Sequence, residues 1–170
     1  MDLKETIIQL SKQFHAEIVK TRRHIHQNPE LSYEEHQTAN FIIQELHKIG
    51  LKGSKLFNTG IVGTLEGKNP EKKVIALRAD IDALPVQEEN EVSYKSTKKG
   101  KMHACGHDVH TSALLGTLKI LSKLKNDFEG TVKFIFQPAE EKLPGGAKNL
   151  IEEKVLENPK PSLIIGQHVY

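Results

Sequence analysis

Within residues 100–111 the chain places its only cysteine, Cys105, beside His103, His107, Asp108 and His110. Thiolate, imidazole and carboxylate are the donors that bind zinc and its transition-metal neighbours. Further groups of the same chemistry follow short apolar runs: Asp80 and Asp82 after residues 74–77, Glu140 and Glu141 after residues 131–136, and His168 after residues 163–165. A set of sulfur, nitrogen and oxygen donors larger than one tetrahedral ion needs points to an open catalytic site or to two ions. Paired cations suit hydrolysis, because they polarise a carbonyl and lower the pKa of a bridging water. Glu140 and Glu141 cannot both point the same way in an extended segment. One can therefore ligate while the other takes the water's proton as a general base.

Each piece alone has a plainer reading. A free cysteine packs as a small apolar side chain, a Glu-Glu pair suits the N-terminus of a helix, and Asp80 could cap the turn before Pro85. Crowding around Cys105 and the shared place at strand ends are what favour chemistry. Arg22, Arg23, His24 and His26 could make an anion site, but a solvated helix face is the expectation. His36 and His47 carry no signal.

The elements that must position these groups can be read from periodicity. Leu3, Ile7, Leu10, Phe14, Ile18 and Ile25 recur at helical spacing with one longer gap, predicting a helix over residues 2–27 that Pro29 ends. A second helix is expected from Ser32 or Tyr33, with Ser32 as cap, Glu35 completing a capping box, Phe41, Ile42 and Leu46 on one face, and Gly50 as stop. Strands are predicted at 51–56, 61–65, 74–77, 131–136 and 163–165. The continuous apolar run at 74–77 suits a strand covered on both faces. A polar segment spans 86–101, in which the basic run 98–101 reads as a solvated loop. A helix is predicted over 109–124, with Ala113, Leu114, Leu118 and Leu121 inward and Asp108 as N-cap acceptor, and another starts near Gly145-Gly-Ala147. Strands alternating with helices indicate an α/β fold, a largely parallel sheet flanked by helices. In such sheets ligands bind beyond the carboxyl ends of the strands, where Asp80, Asp82, Glu140, Glu141 and His168 would meet Cys105 and His107.

At 170 residues the chain is long enough for one complete core, and no repeat or low-complexity linker divides it. With 24 Lys and Arg against 22 Asp and Glu, nothing recommends nucleic acid or a membrane surface as partner. One cysteine forms no internal disulfide, and neither a signal peptide nor an apolar run of about 18 residues is evident, so a soluble, cytoplasmic protein is expected.

The residues match a known pattern. Arg22-Arg-His-Ile-His-Gln-Asn-Pro-Glu30, Leu77-Arg-Ala-Asp-Ile-Asp-Ala-Leu-Pro85, Met102-His-Ala-Cys-Gly-His-Asp-Val-His110, Gln137-Pro-Ala-Glu-Glu141 with Pro144-Gly-Gly-Ala147, and Gly166-Gln-His-Val169 occur in order and cover nearly all of the chain. Together they resemble the N-acyl-amino-acid amidohydrolase branch of the dinuclear metallopeptidases, which includes hippurate hydrolase, auxin-conjugate hydrolases and N-acetyldiaminopimelate deacetylase. The resemblance implies that Cys105, His107, Glu141 and His168 are metal ligands and that Glu140 is base and proton shuttle. It implies that Asp80 orients a ligand or tunes its basicity. The cofactor implied is a pair of divalent cations, zinc or manganese foremost, with nickel or cobalt compatible with the ligand types. The substrate implied is an N-acylated amino acid or small peptide. Where the wider clan carries a ligating histidine, this chain has Arg78, as is usual in this branch.

By the same resemblance, residues 1–170 are the N-terminal portion of a zinc-peptidase-like catalytic domain. Family members continue into a dimerising lid and return to supply further strands and a last ligating histidine. A sheet interrupted there would expose an edge and apolar faces, so self-association or a complementing C-terminal chain is expected. Two other readings stay open: a metal-binding fragment without turnover, and a thiol hydrolase with Cys105 as nucleophile and a nearby histidine as base.

Overall fold

The computed structural model describes residues 2–169. Its elements run α1 (Leu3–Gln27), α2 (His36–Lys48), β1 (Ser54–Leu56), β2 (Gly60–Glu66), β3 (Val74–Asp80), α3 (His107–Lys123), β4 (Thr131–Gln137), α4 (Gly146–Glu152) and β5 (Leu163–Gly166). The strands form one mixed sheet in the order β1-β2-β4-β3-β5. The sheet is parallel where the site lies, with β3 between β4 and β5, whereas β1 and β2 add to β4 as an antiparallel extension. Residues 57–59 explain that extension. Three residues can join only antiparallel neighbours, because a parallel crossover needs a dozen or more.

Side chains of β4 alternate between the two faces as the pleat requires. Val132, Phe134 and Phe136 join Ala39, Ile42 and Leu46 of α2 and Leu114, Leu115 and Leu118 of α3 in the main core, while Ile135 packs with Ala76, Leu150 and Val155 on the other face. Helix α1 lies against α3 at Gly116, where an added Cβ would come within 2.5 Å of Ile18. Strand β3 is only partly covered and every residue of β5 is exposed, with Leu163, Ile164 and Ile165 at 51%, 45% and 48%. Double coverage, expected for residues 74–77, is therefore not met on the β5 side. Among the described residues no helix is long and apolar enough to cross a membrane.

Two expected caps are not formed. Helix α2 begins at His36, and its N-cap, Glu35, makes no side-chain capping bond to the helix. Its first amides are instead satisfied by Glu30, whose carboxylate accepts from Gln37 N at 3.1 Å and Thr38 N at 2.7 Å. Ser32 and Glu35 are drawn inward to other partners. Helix α3 starts two residues earlier than predicted, from Gly106 at φ +87°, so Asp108 lies inside the first turn, fully buried, and is not the N-cap. Residues 86–101 form an irregular segment that is closed on itself by Ser96 N to Glu88 and held against the end of α1 by Glu88 to His26 and by Thr97 to the Gln27 carbonyl.

Candidate metal centre

Register in the parallel part aligns Asp80 with Gln137 and Arg78 with Gly166, so the carboxyl ends of β4, β3 and β5 share one edge. Helix α3 opens at the same edge. Its left-handed Gly106 is demanded twice, by the positive φ and because a Cβ there would lie 2.5 Å from Val169. His107, the first helical residue, thus projects among the strand ends. Among the described residues three sets of donors lie within 4.8 Å of one another: Cys105, His107 and His168; Asp80, His107 and His110; and His107, Glu140 and Glu141. His107 belongs to all three. Every residue predicted for the site reaches it.

The imidazole of His107 is gripped from behind. Its Nδ1 donates to the Asp82 backbone carbonyl at 2.9 Å, with the Asp82 carboxylate at 3.2 Å. Nε2 points to the front, 3.7 Å from Glu141, 3.7 Å from Asp80 and 4.0 Å from Glu140. Cys105 Sγ lies 3.5 Å from Nε2 of His168. Both glutamates approach the same imidazole, contrary to the divergence expected of an extended segment. Residues 138–142 are not extended: Ala139 sits in the left-handed region at φ +47°, which turns the chain so that two adjacent side chains converge.

The two aspartates at the end of β3 divide the supporting work. Asp80 accepts from His110 Nδ1 at 2.6 Å and from Arg78 at 2.7 Å, and Val169 N donates to His110 Nε2 at 3.0 Å. An Nε2 that accepts leaves the proton on Nδ1. Both nitrogens of His110 are thereby committed, a supporting place, and Asp80 contacts this histidine more closely than it does His107. Asp82, which the sequence reading left without a role, holds the ligand-facing imidazole and also accepts from Ser32 Oγ at 2.6 Å and from Glu141 N at 3.0 Å. Strand alternation carries a signal for this, since residues two apart share a face. Ser32 carries none beyond its helix-cap spacing.

Negative charge dominates the pocket. Burial alone would raise the Asp82 pKa, but bonds from His107, Ser32 and the Glu141 amide outweigh it and hold the carboxyl down at about 2. Burial likewise opposes charge on His107, yet the bond to Asp82 and the fields of Asp80, Asp82 and Glu141 raise its pKa. Burial, with Glu141, Glu140 and Asp80 beside it, pushes the Cys105 thiol up to about 11. A cysteine nucleophile needs the opposite surroundings. The same field favours a cation.

Behind α3 lies a second polar cluster, and here the expected solvated face of α1, which holds for the exposed Arg23 and His24, is corrected for Arg22 and His26. His26 is buried, bonded to Asp108 at 2.8 Å through Nδ1 and to Glu88 at 3.1 Å through Nε2. Arg22 Nε pairs with the same Asp108 oxygen at 2.7 Å. Arg22 and Arg23 both lie over the Tyr94 ring. The i, i+4 spacing of Arg22 and His26 puts both on the α3 side of the helix. His103 is buried beside this cluster, and desolvation lowers its pKa to about 4.

A divalent cation fits the donors present. His107 Nε2 and Glu141 Oε1 are buried without a hydrogen-bond partner among the described residues, 3.7 Å apart and facing each other. Buried polar atoms are rarely left so, and imidazole nitrogen and carboxylate oxygen, with a thiol alongside, are zinc-type donors.

Comparison with known proteins agrees with this geometry. Over 168 residues the chain is 43% identical to an N-acyl-L-amino acid amidohydrolase of Geobacillus stearothermophilus, covering 98% of this chain and 45% of that protein. It is 49% identical over 153 residues to IAA-amino acid hydrolase ILR1-like 2 of Arabidopsis thaliana, covering 89% of this chain and 34% of that one. Among solved structures it superposes with a TM-score of 0.87 and 40% identity on the Bacillus subtilis YXEP protein, described as a dinuclear metal binding peptidase, over 94% of this chain and 44% of the other. The chain thus spans less than half the length of these relatives. The sequence pattern of peptidase family M20/M25/M40 matches residues 76–170, which include every donor of the site, and the chain belongs to that family.

Proposed function

We propose that the protein is a metal-dependent amidohydrolase that cleaves N-acylated amino acids or small peptides, and that residues 1–170 supply the N-terminal portion of its catalytic domain. The observation that carries this reading is the pair of orphaned donors, His107 Nε2 and Glu141 Oε1, facing each other inside a ring of carboxylates. Cys105, His107, Glu141 and His168 are the residues assigned to hold two divalent cations, zinc or manganese foremost. When bound, such ions supply Lewis acidity toward the scissile carbonyl and lower the pKa of the attacking water. Asp82 keeps His107 turned with Nε2 forward, and Asp80 with His110 holds the Val169 amide beside His168. Glu140, its side chain 43% exposed at the mouth of the site, takes a proton from the water as its oxygen adds to the acyl carbon. The same carboxyl returns the proton to the amine nitrogen as the carbon–nitrogen bond breaks, leaving a free carboxylate and amine. A thiol–thiolate donor such as Cys105 suits a reducing compartment, the cytoplasm.

In Glu140→Gln, turnover of an N-acetyl amino acid should fall roughly 1,000-fold while metal content is unchanged. Normal activity in that variant would remove Glu140 as the base. Activity that survives thorough chelation would instead favour Cys105 as a nucleophile.

The exposed β5 favours a second reading, in which this chain binds metal but completes its site only with a further polypeptide or a second copy. Metal content and hydrolysis measured on the purified 170-residue chain separate the two. Stoichiometric metal with turnover would exclude the second.

A further inference from the structure

The loop that carries Glu140 and Glu141 is held by a turn more than a hundred positions away in the sequence. Glu35 is fully buried, yet no basic side chain is among the partners of its carboxylate. One oxygen accepts from Thr59 Oγ1 at 2.7 Å and the other from Ala139 N at 2.8 Å. Two residues earlier, Tyr33 reaches the other end of the same loop: its hydroxyl donates to the Lys142 carbonyl at 3.1 Å and accepts from Gly145 N at 3.1 Å. Ser32 in the same turn donates to Asp82, which takes the Glu141 amide. The loop closes on itself through Gly146 N to the Ala139 carbonyl at 2.9 Å. Ala139 is left-handed at φ +47° and Tyr33 at φ +71°, conformations that non-glycine residues keep only where surrounding contacts impose them.

A buried carboxylate is costly, and nothing in the packing of α2 requires one at its N-cap, where Glu30 already satisfies the first amides. What Glu35 does satisfy is the amide immediately before Glu140. Without it, Ala139 N would be a buried donor with no acceptor, and the left-handed residue that aims Glu140 and Glu141 at one imidazole would lose its tether. We infer that Glu35 and Tyr33 are positioning residues for Glu140, and that the 32–35 turn is the platform that sets the aim of the catalytic loop.

This inference rests on the proposed role of Glu140, so its test has one readout that does not. In the protein as its gene encodes it, hydrogen exchange is followed at the amides of residues 139–142 in wild type, Glu35→Ala, Glu35→Gln and Tyr33→Phe, alongside kcat, KM and metal content. Glu35→Ala should speed exchange at Ala139 and lower kcat by about tenfold or more, as a small misplacement of a reacting group does, with KM and metal content near wild type. Glu35→Gln, which keeps an acceptor for the amide, should restore most of both. Tyr33→Phe should show the same pattern with a loss of only a few-fold, and it decides the matter alone if Glu35→Ala does not fold. Unchanged exchange and kcat, or a loss that takes metal content with it and is not rescued by glutamine, would overturn the inference. Normal turnover in Glu140→Gln would remove the base assignment and leave the exchange result standing as the measure of the platform.

Discussion

His107 and Asp108 are consecutive residues in the first turn of α3, and they look into two different polar interiors. On the His107 side, Asp80, Asp82, Glu140, Glu141 and a thiol surround one imidazole, with Arg78 as the fixed cation, and two donor atoms that face each other have no hydrogen-bond partner among the described residues. On the Asp108 side, Arg22 and His26 stand against Asp108 and Glu88, positive groups matched to negative ones. Burial opposes charge at both histidines, and at both their anionic partners raise the pKa. What differs is the balance. Polar atoms without a hydrogen-bond partner among the described residues occur on both sides, at Arg22 Nε, Asp108 Oδ1 and both His103 nitrogens on the one and at His107 Nε2 and Glu141 Oε1 on the other. Charge is therefore the distinction: a buried cluster whose charges cancel is a scaffold, whereas one with excess negative charge suits a cation that arrives.

The largest effect expected from that contrast is in His107→Ala. It removes the member common to all three donor sets. Metal affinity, measured by competition with a chromogenic chelator, should fall by more than the ~10–100-fold typical of losing a supporting partner. Affinity close to wild type would place the ions elsewhere.

Asp108→Ala should behave in the opposite way. It leaves Arg22 and the buried His26 with Glu88 as their remaining anion, and urea unfolding of the metal-free protein should show a loss of about 3 kcal/mol, in the range for breaking a buried pair. Metal affinity should stay near that of wild type. If metal were lost while stability held, the two clusters would be one functional unit.

The smallest and most specific effect is in pH dependence. His26 faces Asp108, Glu88, Arg22, Tyr94 and His103, and its pKa is raised from 6.5 chiefly by the bond to Asp108. A basic group with a raised folded pKa contributes stability that is complete below its unfolded pKa and is lost as pH rises through the folded value. The stability gap between wild type and His26→Gln should therefore be wider at about pH 6 than at about pH 9. A gap constant across that window would mean that His26 holds its partners as a neutral imidazole.

Much of this was legible before any coordinates. The helix of α3, strands β2, β3, β4 and β5 and the first long helix follow from local periodicity and run length, and chain order places Asp80, Glu140, Glu141 and His168 after strand ends. The errors have one physical source. Ser32 and Glu35 read as a capping box because the spacing is right, but Asp82, Thr59 and the Ala139 amide offered better buried partners and Glu30 took over the cap. His26 read as solvated because nothing in its own helix shows that Asp108 and Glu88, 82 and 62 positions away, would close over it. Glu140 and Glu141 were expected to diverge because a left-handed alanine is not visible in a sequence.

By itself, then, the sequence determined which donors exist, on which strand ends and helix start they sit, and by their pattern which family they belong to, because those properties depend on residue type and short spacing. Tertiary structure alone decided that Asp82 rather than Asp80 grips His107, that His110 spends both nitrogens on support, and that a buried glutamate from the start of α2 tethers the loop of Glu140 and Glu141. Those pairings join residues 25 to 104 positions apart. They are settled by competition among buried polar groups for the few partners within reach, where leaving one unpaired costs more than any local preference contributes.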